Sequence, residues 1–377
     1  MRRSGLATPR RVERDGADDV FAEVEKDFAV RDGWVYLQSA GAGLAFPGAA
    51  DAAGRYFRDV AALGCDAQQR WRAEADGAKE RSARLLSVPA DEVGFFRNTS
   101  EVINLAANSV VWSPGDEVVV FADDYPCNVL AWTSAEQRGA TIVRVRPRDP
   151  ATREDDLLDA ITPRTRVVCV SHVHPWTGVA LDLTRIGAAC RDVDALLFVD
   201  GIQALGAIPV DLTLVDVYGA GVLKWLLSGF GTAIGVFRER AREALTPIFR
   251  SYGNPAPSAS FSYAAPNFPG LYVLNATLEY LEQVGWPWIH ARVRDLAGSV
   301  ISGLESRGIP VVTPMELRAG MVAIETPDSA RVADALRERR VSVSDRAGRT
   351  LVSPHFYNST RDIDRFIDAL DDVLATM

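Results

Sequence analysis

Asp200 and Lys224, 24 positions apart, are the residues whose types and settings best suit chemistry. Asp200 closes the apolar run Leu-Leu-Phe-Val-Asp and leads into Gly201-Ile202-Gln203, while Lys224 lies in Gly-Val-Leu-Lys-Trp-Leu-Leu. A carboxylate at the carboxyl end of a strand in a parallel α/β sheet is placed to reach a ligand. A lysine among Leu and Trp side chains loses hydration of its charged form, which lowers its pKa and frees the amine as a nucleophile. The sequence has only three lysines, Lys26, Lys79 and Lys224, against many arginines, so the setting of each is informative. Asn98-Thr99-Ser100 open a helical pattern whose free N–H groups and dipole suit an anion, though the same residues also read as an ordinary N-cap. Tyr125, in Asp124-Tyr-Pro-Cys-Asn128, follows an apolar strand and offers a ring to a ligand or sits exposed in a turn. His172 and His174 end another strand, and either faces a substrate or packs beside the sheet.

The elements that must position these residues are legible as an alternating pattern. Helices are expected at 77–88, 99–111, 128–138, 154–161 and 184–191, with strands at 117–121, 141–145, 167–173 and 196–200. Helices alternating with β-branched apolar strands imply a mostly parallel sheet covered on both faces. Residues 1–20 read as a disordered arm, and the segment from Trp34 as a short extended piece ending in a small-residue turn that lines a ligand site. A Pro/Ser/Ala-rich stretch after Pro255 marks a domain junction. Beyond it, helices near 271–284, 288–306, 329–340 and 360–375 and strands near 320–326 and 349–354 form a smaller α+β domain. The division is therefore a large domain over 21–258 and a small one over 259–377.

A carboxylate beside a nucleophilic amine is what pyridoxal phosphate (PLP) requires: the acid keeps the pyridine nitrogen protonated and the amine bonds the aldehyde carbon. The Val-Asp-Gly-Ile-Gln segment, the Lys-Trp-Leu-Leu-Ser-Gly-Phe-Gly segment and Ser171-His-Val-His-Pro-Trp-Thr-Gly178 together resemble the class V aminotransferase family. That group includes cysteine desulfurases, isopenicillin N epimerase-like proteins and kynureninases, and the resemblance spans roughly residues 34–375. It implies fold type I, with a mostly parallel seven-stranded sheet. By resemblance, Lys224 carries the cofactor as a Schiff base and shuttles protons, Asp200 pairs with the ring nitrogen, and Gln203 lies near the ring hydroxyl. It also implies that Asn98, Thr99 and Ser100 grip the phosphate, that Tyr125 stacks on the ring, and that the protein is a homodimer.

Departures from the family pattern bear on the reaction. Cysteine desulfurases carry a nucleophilic cysteine on a mobile loop, but the matching stretch, Val341 to Thr350, has none, and no cysteine follows Cys190. The family's arginine for the substrate carboxylate falls at Leu351, leaving Arg346 or Arg349 to replace it from a shifted position. Gly221 and Leu223 stand where relatives have Ser and His, and Ala265 where many have a phosphate-binding Thr from the neighbouring subunit. The expected activity is a C–S lyase or a decarboxylating or deaminating tailoring reaction on an amino-acid-type substrate. A class V aminotransferase is the alternative, and a catalytically silent PLP-fold binding protein a second one.

Composition narrows the partners. A net charge of −9 gives no general attraction for nucleic acid or anionic lipid, and no apolar stretch suggests a membrane span or leader, so a cytoplasmic location is expected. Cys65, Cys127, Cys169 and Cys190 are too scattered for a zinc site, and no metal is expected. The Gly229-x-Gly231-x-x-x-Gly235 run has the wrong spacing for a dinucleotide site and precedes a strand rather than a helix.

Overall fold

The computed structural model describes residues 17–28, 33–256 and 260–377. From α1 (Ala17–Asp27) and β1 (Val35–Tyr36) the chain passes through α2 (Ala49–Leu63), α3 (Gln68–Leu86), β2 (Val93–Phe96) and α4 (Thr99–Ser109). It continues through β3 (Glu117–Phe121), α5 (Pro126–Leu130), α6 (Thr133–Glu136), β4 (Thr141–Val145), α7 (Arg153–Leu158), β5 (Thr165–Ser171) and α8 (Leu183–Asp192). Strands β6 (Leu196–Asp200), β7 (Val217–Gly221) and β8 (Ala233–Phe237) complete the main sheet, followed by α9 (Glu239–Ala244) and the long α10 (Phe268–Val284) and α11 (Trp286–Glu305). The remainder is β9 (Val322–Ile324), α12 (Ser329–Glu338), β10 (Val341–Ser342), β11 (Ser344–Arg346), β12 (Arg349–Val352) and α13 (Thr360–Leu374).

The main sheet has seven strands in the order β2-β8-β7-β6-β5-β3-β4. Only β8 runs against its neighbours, β2 and β7, so the mostly parallel sheet is as expected. Its unbroken apolar strands follow from burial on both sides. Val119, Val168, Leu197 and Val199 enter one core, while the alternating Val118, Val167, Leu196 and Phe198 enter another on the opposite face.

Three sequence expectations need adjustment. Residues 1–16 of the arm read as disordered lie outside the described residues, and Ala17 to Val20 belong to α1 rather than to an arm. The single helix expected over 128–138 is two short ones. There the Trp132 indole donates to the Asn128 carbonyl at 2.8 Å and the Thr133 hydroxyl to that of Leu130 at 2.9 Å, so side chains take carbonyls a continuing helix would have used. Finally, each core draws chain from both sides of residue 258. Leu271, Leu274 and Leu278 of α10 lie in a sheet-face core. A separate core beneath α11, α12 and α13 includes Val35 and Leu37 from the N-terminal side.

That N-terminal segment is a strap. β1 pairs in parallel with β10, and the chain then bridges to Ser353, whose N–H donates to Leu37 O at 2.9 Å. Farther along, the Gly43 N–H donates to Leu223 O at 2.9 Å, next to Lys224. A Cβ at Gly43 would lie 2.1 Å from Lys224 O, so only glycine permits this approach.

Candidate active site

Because β3, β5, β6 and β7 are parallel, the loops after them emerge at one edge of the sheet. Those loops deliver Asp124 and Tyr125 after β3, Ser171 at the end of β5, Asp200 at the end of β6 and Lys224 just beyond β7. Asp200 is 2% exposed. The Ile202 N–H donates to its Oδ1 at 2.9 Å, while Asn128 Nδ2 at 3.4 Å and the Cys127 thiol at 3.6 Å lie against Oδ2. Asn128 also donates to Ser171 Oγ and Asp124 Oδ1, and Ser171 Oγ donates to Asp124 at 2.5 Å. Burial pushes the Asp200 carboxyl up to about 6; the Ile202 amide opposes the rise and the Asp124 charge adds to it. Burial brings the Lys224 amine down to about 8, with Asp200 opposing and the Arg346 charge reinforcing the fall. Burial, and then the Asp200 charge, push the Cys127 thiol far above its usual range.

Lys224 is fixed through its neighbours rather than its own side chain. Phe356 N–H donates to His355 Nδ1 at 2.8 Å, so His355 Nε2 carries the ring proton and faces Trp225 O at 3.1 Å. The Trp225 indole in turn donates to Gln203 Oε1 at 3.0 Å, and Gln203 Nε2 donates to Ala40 O at 3.0 Å. Gln203 therefore ties the strap to the lysine loop.

Thr99 is buried where the N-terminus of α4 meets the end of β7, and its hydroxyl accepts from Gly221 N–H at 2.9 Å. Ser100 lies beside Cys127. The Asn98 side chain caps α4 by accepting from Glu101 N–H at 2.8 Å, so its carbonyl is already engaged. A Cβ at Gly221 would stand 3.1 Å from both Ile202 and Leu223 side-chain atoms, so the glycine and the bulky Leu223 go together. Ala265 is exposed in its loop, and its N–H donates to the Tyr252 hydroxyl at 2.8 Å.

Tyr125 is half-exposed at the same edge, its ring 5.8 Å from that of Trp176. Neither histidine shares a hydrogen bond or ion pair with Lys224 among the described residues. His174 has one ring nitrogen on Thr177 Oγ1 at 2.9 Å and the other on Asp123 O at 3.2 Å. His172 is buried with Nδ1 unpartnered, and the charge acting on it is Asp182, the N-cap of α8. Burial brings each ring down to about 4, so both are neutral at ordinary pH.

Leu351 is 3% exposed and lies in a core, so the position expected for the carboxylate arginine carries an apolar side chain. Arg349, two residues earlier on β12, shares its face of the strand. Arg349 Nη1 donates to Trp176 O at 3.4 Å. Sequence reasoning missed Asn128, Asp124 and Trp225. Asn128 stands four residues after Asp124, the spacing of one helical turn, and that was the available signal.

A lysine and a buried acid at the carboxyl edge of a mostly parallel sheet define a cofactor-binding α/β enzyme. The chain belongs to the class-V aminotransferase family, whose profile matches residues 35–365, and is thus a PLP-dependent enzyme of fold type I. Isopenicillin N epimerase from Amycolatopsis lactamdurans is 28% identical, the match covering 78% of this chain and 84% of the relative. The apo structure of a cysteine desulfurase from Thermococcus onnurineus superposes with a TM-score of 0.85 at 20% identity, covering 99% of this chain and 100% of that one. The cystine C–S lyase C-DES, solved with its product cysteine persulfide, gives 0.83 at 19% identity, covering 90% and 98%.

The residues fit that cofactor. Among the described residues no cation is paired with the buried Asp200 carboxylate, an arrangement that is costly until a protonated ring nitrogen arrives. Lys224 offers an amine with little cost of deprotonation. No cluster of three or more His, Cys, Asp or Glu side chains suited to a metal occurs among the described residues, and no helix there is long and apolar enough to cross a membrane.

Proposed function

We propose that this enzyme is a C–S lyase acting on an amino-acid-type substrate, and not a persulfide-forming desulfurase. In this reading Lys224 and Asp200 hold the cofactor at either end of its ring, Thr99, Ser100 and the first N–H groups of α4 receive the phosphate, Tyr125 covers the ring and Gln203 meets the ring hydroxyl. When bound, PLP supplies an electron-accepting ring that labilises one bond at the substrate Cα. Lys224 Nζ, deprotonated at little cost, takes the Cα proton. With the cofactor bound, the proton taken by Lys224 would pass to the departing sulfur, so that substrate plus water would give thiol, pyruvate and ammonia. Arg349 holds the substrate carboxylate, which favours elimination over decarboxylation because a clamped carboxylate is retained.

The observation that carries the reading is the hairpin β11–β12, which bears Arg346 and Arg349 at the place expected for a nucleophilic cysteine. Within the site, Cys127 is held as a thiol by burial and by Asp200, a poor persulfide carrier. The aminotransferase alternative is supported by the same carboxylate clamp, since transamination also keeps that group. A homodimer accords with the exposed apolar side chains Phe230, Phe249 and Tyr252, and light scattering should give twice the chain mass.

Spectra and products of the PLP-loaded protein test the proposal. Wild type should show a cofactor absorbance band that Lys224→Ala lacks, and should release thiol, pyruvate and ammonia from S-cysteinyl conjugates. Amino-group transfer to an added keto acid without thiol release would replace the lyase by the aminotransferase. A loaded protein without the band would leave only a silent binding protein.

A further inference from the structure

Arg346 and Arg349 are direct cross-strand partners at the tip of the β11–β12 hairpin, so both guanidinium groups project from one face. Like charges placed opposite each other destabilise a hairpin. Asp345, which precedes Arg346 on β11 and pairs with Thr350, points to the other face and accepts from the Ser329 hydroxyl. Neither arginine has a carboxylate partner among the described residues, whereas Arg81, Arg153, Arg185 and Arg240 all do. The turn itself is the two-residue Ala347-Gly348, both at positive φ, which closes the hairpin tightly and holds the two arginines opposite each other.

The tip stands over the catalytic edge. Ser344, at the far end of β11, lies 3.8 Å from the position of a Cβ on Gly41, in the strap turn whose next residues reach Leu223 and Lys224. Arg349 is tied to Trp176, which packs on Tyr125. Arg346 is near enough to act on the Lys224 charge. In a chain of net charge −9, this is a local reversal of sign at the mouth of the site.

Resting on the proposed function, we infer that the substrate carries a second carboxylate besides the one at Cα. Arg349 takes the α-carboxylate and Arg346 takes the distal one. A monocarboxylate leaves one guanidinium uncompensated, while a dicarboxylate neutralises both through charge-assisted hydrogen bonds. The amino acid is therefore acidic in its side chain, such as a cysteine conjugate whose sulfur substituent ends in a carboxylate.

Calorimetric titration of the PLP-loaded protein with glutarate and butyrate tests this, because neither probe has an amino group and neither is turned over. Wild type should bind glutarate at least about tenfold more tightly than butyrate. Arg346→Gln should bring the ratio close to one, Arg346→Lys should restore part of it, and Arg349→Gln should weaken both ligands. Equal affinities in wild type, or a glutarate preference that survives Arg346→Gln, would overturn the inference. The cofactor band recorded on the same samples keeps the two readings apart. A normal band without glutarate preference refutes the hairpin's role alone, whereas a missing band refutes the proposed function while the titrations still decide the hairpin.

Discussion

At the scale of single residues, the site is built around one buried acid that has no ion-pair partner among the described residues. Asp200 keeps its proton up to about 6 in the folded chain, against an ordinary 3.8, so the folded state binds more protons than the unfolded one across that interval. Stability of the cofactor-free protein should therefore fall as pH rises through the window and stay low above it. Asp200→Asn removes the titration. The stripped variant is expected to be more stable than stripped wild type at pH 7.5, by on the order of 2 kcal/mol, while holding the cofactor far more weakly. Urea unfolding of both stripped proteins at pH 5 and 7.5 checks this; a variant less stable at pH 7.5 would mean that Asn128 and Ile202 already compensate the carboxylate. Lys224 makes the matching prediction from the other side. Cofactor capture, followed by absorbance, should quicken with pH and level off near the lysine's lowered value of about 8. A plateau only near the ordinary lysine range would remove burial as the cause.

At the scale of elements, legibility tracked the kind of force involved. The strands ending at Phe121, Val145 and Asp200 were readable to the residue, because burial on both faces writes continuous apolar runs. The Asp200 to Lys224 spacing was readable for the same reason: each residue follows a buried strand. What was not readable depends on long-range partners. Nothing local tells that His174 turns to Asp123 or that Gln203 joins Ala40 to Trp225, whereas the Asn98 cap, a contact three residues long, was among the readings its sequence offered. The hairpin lay between, its arginines visible as candidates but their pairing on one face set by a register that only the sheet fixes. Its turn residues, Ala347 and Gly348, both have positive φ, where Asn-Gly is the favoured pair. Ala347→Asn should accordingly stabilise the protein by about 0.5–1 kcal/mol without touching either arginine, read as a raised urea midpoint with an unchanged slope. A loss of stability would indicate that the Ala347 methyl packs in a way its exposure does not suggest.

Across the whole molecule, the strap makes the C-terminal core answerable to the cofactor. Val35 and Leu37 are buried with α11, α12 and α13, yet the residues just beyond accept from Gln203 at Ala40 and donate to Leu223 at Gly43. Slack in that core should therefore reach Lys224 through a handful of covalent steps, with no separate communicating path required. Two truncations in the same core separate this coupling from plain destabilisation. Leu37 and Leu304 are each fully buried there, the first on the strap and the second on α11. Either change to alanine should cost about 2–5 kcal/mol. Only Leu37→Ala should also weaken PLP, measured by absorbance titration of the folded protein well below the unfolding midpoint. If Leu304→Ala weakens the cofactor equally, the core acts on the site as a whole rather than through the strap. If neither does, the hydrogen bonds at Ala40 and Gly43 hold the Lys224 loop whatever happens beneath them.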